Sequence, residues 1–183
     1  MNWANTKSRY GVVPQLIHWF TVLAVVAGWL LGRFGDNLPK EGLRELGLFT
    51  HMTLGECVFA LLILRIVWRI ANPPPLPEPT PLGRLTVVAS KVSHFLLYAL
   101  LLIVPILGMI VQLKRGHGLP LFGLGELPSP WTADRSVARS VLSAHDLLAN
   151  ALLILAGIHA AAALVHHWVW RDRTLRRMLP GAA

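Results

Sequence analysis

Charge is absent from three long stretches of the chain. No Asp, Glu, Lys or Arg occurs from Tyr10 to Gly32 (23 residues), from Val92 to Leu113 (22) or from Leu147 to Trp170 (24). A fourth stretch, Leu46 to Leu64 (19 residues), carries one acid, Glu56. About 20 apolar residues in a helix cross a hydrocarbon core of about 30 Å, so each stretch is long enough to span. Helices are predicted over about 13–32, 51–70, 87–113 and 141–170, with Pro105 kinking the third. Backbone groups in lipid must be satisfied within their own segment, which helices with short connections achieve. The pattern therefore predicts an all-α fold, an integral membrane four-helix bundle forming a single domain over residues 1–183.

The connections carry the polar residues. DNLPKEGLREL is read as a loop between the first two helices. The prolines of ANPPPLPEPTPLGR favour an extended, polyproline-like segment, either a stiff linker or a docking motif. KRGHGLPLFGLGELPSPWTADRSVARS joins the last two helices, and its apolar, Gly- and Pro-rich centre is placed along the membrane surface. The chain is 54% hydrophobic and 14% charged, with a mean hydropathy of +0.54 and a formal net charge of +8. Four spans put both termini on one side, with Lys7, Arg9, Arg65, Arg69, Arg84, Lys91, Arg171, Arg173, Arg176 and Arg177. Arg33, Lys40, Arg44, Lys114, Arg115, Arg135 and Arg139 fall on the other. That excess makes the side with both termini cytoplasmic, the inner side, and sets Trp168 and Trp170 at the inner interface. The first apolar run is longer than a signal-peptide core and no A-x-A site follows it, so it is read as a retained span. Cys57 is the only cysteine, which excludes a disulfide within the chain.

Ionisable groups inside a span are costly and point to function. His145 and His159 lie fourteen residues apart, about 21 Å along a helix and only about 40° apart in direction. With both termini inside, His18 lies near the inner end of the first helix and His51 begins the second at the outer end. The four sort by depth into an outer pair, His51 with His145, and an inner pair, His18 with His159. Two stacked imidazole pairs in an apolar bundle are what two bis-histidine haems require. Zinc fits poorly, since histidines at these depths give no tetrahedral set. No C-x-x-C-H motif is present for covalent haem attachment.

The chain resembles the bacterial cytochrome b561 family, four-helix di-haem proteins of the inner membrane. The resemblance runs through RYGVVPQLIHWF, HMTLG, LRIVWRIANPPP, SHFLLYALLLIVPILGM, the outer-loop LFG and AHDLLANALLILAGIHAAAALVHHWVWRDRTLRRM. It implies non-covalent haem b, with iron ligands at His18, His51, His145 and His159, and a multi-pass place in the bacterial inner membrane. The family pattern also includes a histidine at His94 that is not usually a ligand.

Other residues leave two readings each. His94, near Lys91, serves either a propionate or quinone or a helix–helix hydrogen bond. Arg65 lies fourteen residues after His51 and either pairs with an inner-haem propionate or snorkels to headgroups. Gly55 admits either a porphyrin plane or a neighbouring helix. Glu56 departs from the family pattern and points about 140° away from His51, either to supply protons or to snorkel outward. His166 is a distant substitute for His159, and His167 and His117 are read as solvated.

Haems at two depths make an electron path across the bilayer. No nucleotide-binding fingerprint or hydrolytic triad is present, and no nucleic-acid partner is expected. Donor and acceptor are therefore small molecules or other proteins, with lipid around the bundle. For part of the family the resemblance implies oxidation of superoxide to oxygen with reduction of ubiquinone. Lys114, Arg115, Arg135 and Arg139 of the outer connection would steer the anion, unless they are ordinary solvated charges. The alternative is an electron-transfer subunit relaying electrons between a partner redox protein and quinone. A third reading is haem binding without catalysis.

Overall fold

The protein is described by a computed structural model covering residues 2–181. Four helices dominate: α1 (Val12–Phe34), α2 (Glu41–Ala71), α3 (Arg84–Lys114) and α4 (Arg135–Trp168). A two-stranded antiparallel hairpin, β1 (Leu119–Pro120) and β2 (Glu126–Leu127), lies in the connection between α3 and α4. Single 3-10 turns follow α1 (Gly35–Asn37) and close the tail (Arg176–Met178).

Two helices begin earlier than the apolar pattern predicts. α2 starts at Glu41 rather than near residue 51, so the expected loop is short and EGLRELGLFT is helical. Leu, Arg and Glu are good helix formers even where charge keeps them out of lipid. A helix of 31 residues is about 46 Å long and projects beyond the hydrocarbon. α4 starts at Arg135 rather than near residue 141 because Asp134 caps it. The Asp134 carboxylate accepts the N–H groups of Ser136 (2.9 Å) and Val137 (3.0 Å). α3 runs on through the buried Pro105. By length and composition α1, α3 and α4 can each cross a membrane; α2 is long enough but more polar.

α1 packs along α2 and α3 along α4, and the two hairpins join through α2 and α3, while α1 and α4 scarcely touch. The core is a mid-depth layer with a residue from every helix: Ala24, Val58, Leu62, Leu101 and Leu152. Helical periodicity sets this layer. On α4, His145, Leu152 and His159 recur every seven residues and share the inward face, whereas Leu147, Ile154 and Ile158 are exposed to lipid.

Both ends of the chain meet at one end of the bundle. Gln15 donates from Nε2 to the Arg177 carbonyl (3.0 Å) and Trp19 from Nε1 to the Met178 carbonyl (2.8 Å). Arg177 pairs with Glu78 and donates to the Leu76 carbonyl (2.7 Å), tying the tail to the proline-rich connection. That connection is therefore packed against the tail, with Pro75 buried. The β-hairpin covers the opposite end.

Candidate functional site

Three helices, α1, α2 and α4, bring four of the eight histidines together in two pairs. At the hairpin end the rings of His51 (α2) and His145 (α4) stand 6.0 Å apart, centre to centre, at 81° to each other. His51 Nδ1 lies 2.7 Å from the carbonyl oxygen of Gly28, and His145 Nδ1 lies 2.9 Å from that of Val104. A carbonyl only accepts, so each Nδ1 carries the proton and each Nε2 keeps a free lone pair. Glycines make room for both rings. A Cβ on Gly32 would lie 2.8 Å from Cε1 of His51, and one on Gly108 would lie 3.3 Å from Cε1 of His145. The G-x-x-x-G spacing of Gly28 and Gly32 was the signal for this close approach, and the sequence reading missed it.

At the terminal end the rings of His18 (α1) and His159 (α4) are 6.5 Å apart at 71°. His94 (α3) stands closer to His159, 5.2 Å at 76°, and its Nδ1 donates to the Ser90 carbonyl (2.7 Å) within its own helix. Arg65 does not snorkel: its Nη2 is buried without a hydrogen-bond partner among the described residues. Beside it, Arg69 donates to the Tyr98 hydroxyl (3.3 Å). Tyr10 joins this cluster, and burial raises its hydroxyl pKa although Arg69, Arg177 and Arg65 pull the other way. Lys91 is exposed, one turn before His94 on α3. Gly55 has no neighbour within 4 Å of an added Cβ, so it faces open space and does not serve helix packing.

Three further expectations change. Glu56 neither snorkels nor faces water: it is 7% exposed, and its Oε2 accepts the N–H of Phe122 at 2.8 Å, anchoring the hairpin loop to α2. His167 is half-buried, with Nδ1 lacking a partner among the described residues, so it is not a solvated side chain. His166 is taken by Asp172, Nδ1 to Oδ2 at 2.5 Å. His117 is exposed as expected, yet it lines a cavity of about 550 Å³ with Arg115, Arg135, Ala138 and Arg139. Lys114 is turned instead onto the Trp131 ring, 5.0 Å from its centre.

Paired imidazoles at two depths in an apolar bundle are the frame of a membrane cytochrome, and comparison with known proteins agrees. The family model described as prokaryotic cytochrome b561 matches residues 9–181. The chain belongs to the prokaryotic cytochrome b561 family. It is 31% identical to cytochrome b561 homolog 2 of Escherichia coli K12, over 98% of this chain and 95% of that protein. It is 32% identical to a Yersinia pestis protein named probable superoxide oxidase CybB, over 94% of this chain and 96% of that one. Cytochrome b561 homolog 1 of Escherichia coli K12 is 28% identical, over 94% and 98%. As a member of this cytochrome b561 family, the chain is a bacterial membrane protein of electron transfer, and family membership implies haem b as the cofactor.

The residues present fit that group. An imidazole nitrogen sits about 2.0–2.1 Å from a first-row metal ion, and its ring centre lies about 1.1 Å further out. Two rings in line on one ion are then about 6.3 Å apart, against 6.0 and 6.5 Å here. His94 at 5.2 Å from His159 is too close for that role. Arg65, with a buried guanidinium nitrogen unpaired, suits a carboxylate such as a propionate.

Proposed function

We propose that the protein carries two b haems in the bacterial inner membrane, one held by His51 and His145 and the other by His18 and His159. The observation that carries this reading is the pair of imidazole pairs, each near the separation that axial ligation demands. Both termini lie in the cytoplasm in this reading, which the modest excess of Lys and Arg at that end supports. The hairpin end is then the outer face and the terminal end the inner one. Haem b supplies a one-electron couple when bound.

The chain's own residues do the rest. Gly28 and Val104 carbonyls hold the outer imidazoles in the tautomer that leaves Nε2 free to bind metal. Arg65 holds a carboxylate at the inner level, and Gly55 leaves space for a planar group beside α2. The outer face carries Arg115, His117, Arg135 and Arg139 around one cavity, an arrangement that concentrates a small anion above the outer pair. Superoxide is that anion in the reading favoured by similarity to the protein named probable superoxide oxidase. Two superoxide anions each give up one electron and leave as oxygen; one ubiquinone takes both electrons and two protons.

The test is optical. A calibrated superoxide flux is delivered to the purified chain while the haem α-band is followed, with and without a water-soluble ubiquinone. Reduction that superoxide dismutase abolishes and quinone reverses is expected. The double variant R135Q/R139Q should slow it by about tenfold at low ionic strength and flatten its salt dependence. Haem that dithionite reduces but superoxide does not would overturn this reading and leave a relay subunit awaiting its partner. A chain that takes up no haem would overturn the ligand assignment.

A further inference from the structure

Beyond the end of α4 lies a second basic cavity, of about 380 Å³, unconnected with the histidine pairs. Arg171, Arg173 and Arg176 line it with His167, Trp168 and Asp172. Its one acid is already committed. Asp172 accepts the Thr174 N–H at Oδ1 (2.8 Å) and meets His166 Nδ1 at Oδ2 (2.5 Å). Burial alone would raise the Asp172 carboxyl, but the Thr174 N–H and the His166 and Thr174 side chains hold it below the usual carboxylate range. The three guanidiniums have no carboxylate partner among the described residues, since the ion pairs there are His166–Asp172 and Arg177–Glu78. The buried His167 Nδ1 likewise has no partner.

The local backbone is bent to build this arrangement. Arg171 adopts φ +53°, a left-handed conformation that a long side chain rarely takes. The Asp172 N–H donates to the His166 carbonyl (3.0 Å) and the Trp170 N–H to that of Val165 (3.1 Å), folding the tail back beneath the helix. The C-terminal dipole of α4 puts about half a negative charge nearby. Three full positive charges outweigh it. Trp168, the last residue of α4, is 67% exposed, and an exposed indole at the end of an apolar helix suits a membrane interface.

We propose that this cavity binds a phosphate group, carried either by an anionic lipid headgroup or by a soluble phosphate. Guanidiniums suit phosphate oxygens because they offer forked donors, and basic pockets at helix ends recognise lipid headgroups in this way. The exposed Trp168 beside the cavity favours the lipid as the source.

Calorimetric titration of the haem-loaded protein in non-ionic detergent tests the proposal. The probes are phosphatidylglycerol in mixed micelles, phosphatidylcholine in the same micelles, and inorganic phosphate. At about fivefold per arginine, R173Q weakens binding about fivefold and R171Q/R173Q/R176Q about a hundredfold. K7Q/R9Q/R84Q removes the same charge at the same end of the bundle and should leave binding nearly intact. An unchanged haem spectrum and melting temperature show that each variant is folded. Phosphatidylglycerol bound well above phosphatidylcholine supports the lipid source. Inorganic phosphate bound with the same variant dependence, with no preference between the lipids, supports the soluble one. Equal weakening by both triple variants, or no binding of any probe, overturns the proposal.

Discussion

Replacing Gly32 with Ala puts a methyl group 2.8 Å from Cε1 and 3.1 Å from Nδ1 of His51. Carbon atoms in ordinary contact stand about 3.5–4.0 Å apart, so the ring must retreat by roughly 0.7 Å. His51 cannot retreat freely, because its Nδ1–H is held 2.7 Å from the Gly28 carbonyl on the same helix as the new methyl. Overpacking of this kind costs about 1–3 kcal/mol, and a loosened hydrogen bond adds about 1 kcal/mol. At 1.4 kcal/mol per tenfold, haem affinity at the outer site falls by about thirtyfold to several hundredfold. The helix itself gains, since Ala exceeds Gly in helix propensity by about 1 kcal/mol. The loss is therefore local rather than a failure to fold. Haem per chain, measured by absorbance after incubation with a haem-scavenging apoprotein, should fall from two towards one in G32A. Gly35 at the end of α1 has φ −58° and no neighbour within 4 Å of an added Cβ, so G35A serves as the control and should keep both. Two haems retained equally by G32A, G35A and the parent protein would refute the cradle around His51.

The remaining expectations concern single side chains. H94A should keep two haems while H18A loses one, because His94 is only 5.2 Å from His159; the reverse pattern in haem counts would make His94 the ligand. E56L removes the acceptor of the partly buried Phe122 N–H, so thermal unfolding should show a loss of about 1 kcal/mol, with E56Q much milder because its carbonyl still accepts. Asp172 has its pKa lowered on folding, so it contributes stability above its unfolded pKa and loses it as pH falls through the folded value. D172N should therefore melt below the parent at neutral pH and converge with it in acid; a constant gap across pH would refute this. R65Q removes a buried cation and should lower the inner redox midpoint by about 40–90 mV, read by spectroelectrochemistry, for about 1–2 kcal/mol of interaction.

The apolar runs located α1, α3 and α4 because lipid demands such runs, and the fourteen-residue interval placed His145 and His159 on one face because helix geometry is fixed. What a side chain meets across the bundle was less legible. Periodicity gives the direction of Glu56 on α2 but not the loop that folds over it, so a buried acceptor read as a snorkelling or proton-supplying acid. The early start of α2 at Glu41 was hidden because charge, which excludes a residue from lipid, does not exclude it from a helix. The start of α4 was readable in principle from Asp134, a residue type favoured at helix N-termini. The closeness of His94 to His159 depends on how α3 rotates against α4, which no local pattern encodes.

The two ends of the bundle treat their imidazoles differently, and the difference has a direction. At the hairpin end both Nδ1 groups donate to backbone carbonyls, which makes the imidazoles more basic and favours the oxidised metal. At the terminal end neither His18 nor His159 has such a partner among the hydrogen bonds of the described residues, and Arg65 brings a buried positive charge. A cation near a redox centre favours the form with one more electron. With a haem at each pair, as proposed, both effects would set the midpoint at the terminal end above that at the hairpin end. In the proposed two-haem arrangement an electron entering beneath the cavity of Arg115, His117, Arg135 and Arg139 would move downhill toward the end that holds both termini. Such a gradient would suit the proposed direction of transfer, and it would need no conformational change: the imidazoles at the hairpin end gain electron density from carbonyls on α1 and α3, while the terminal end draws its positive charge from α2.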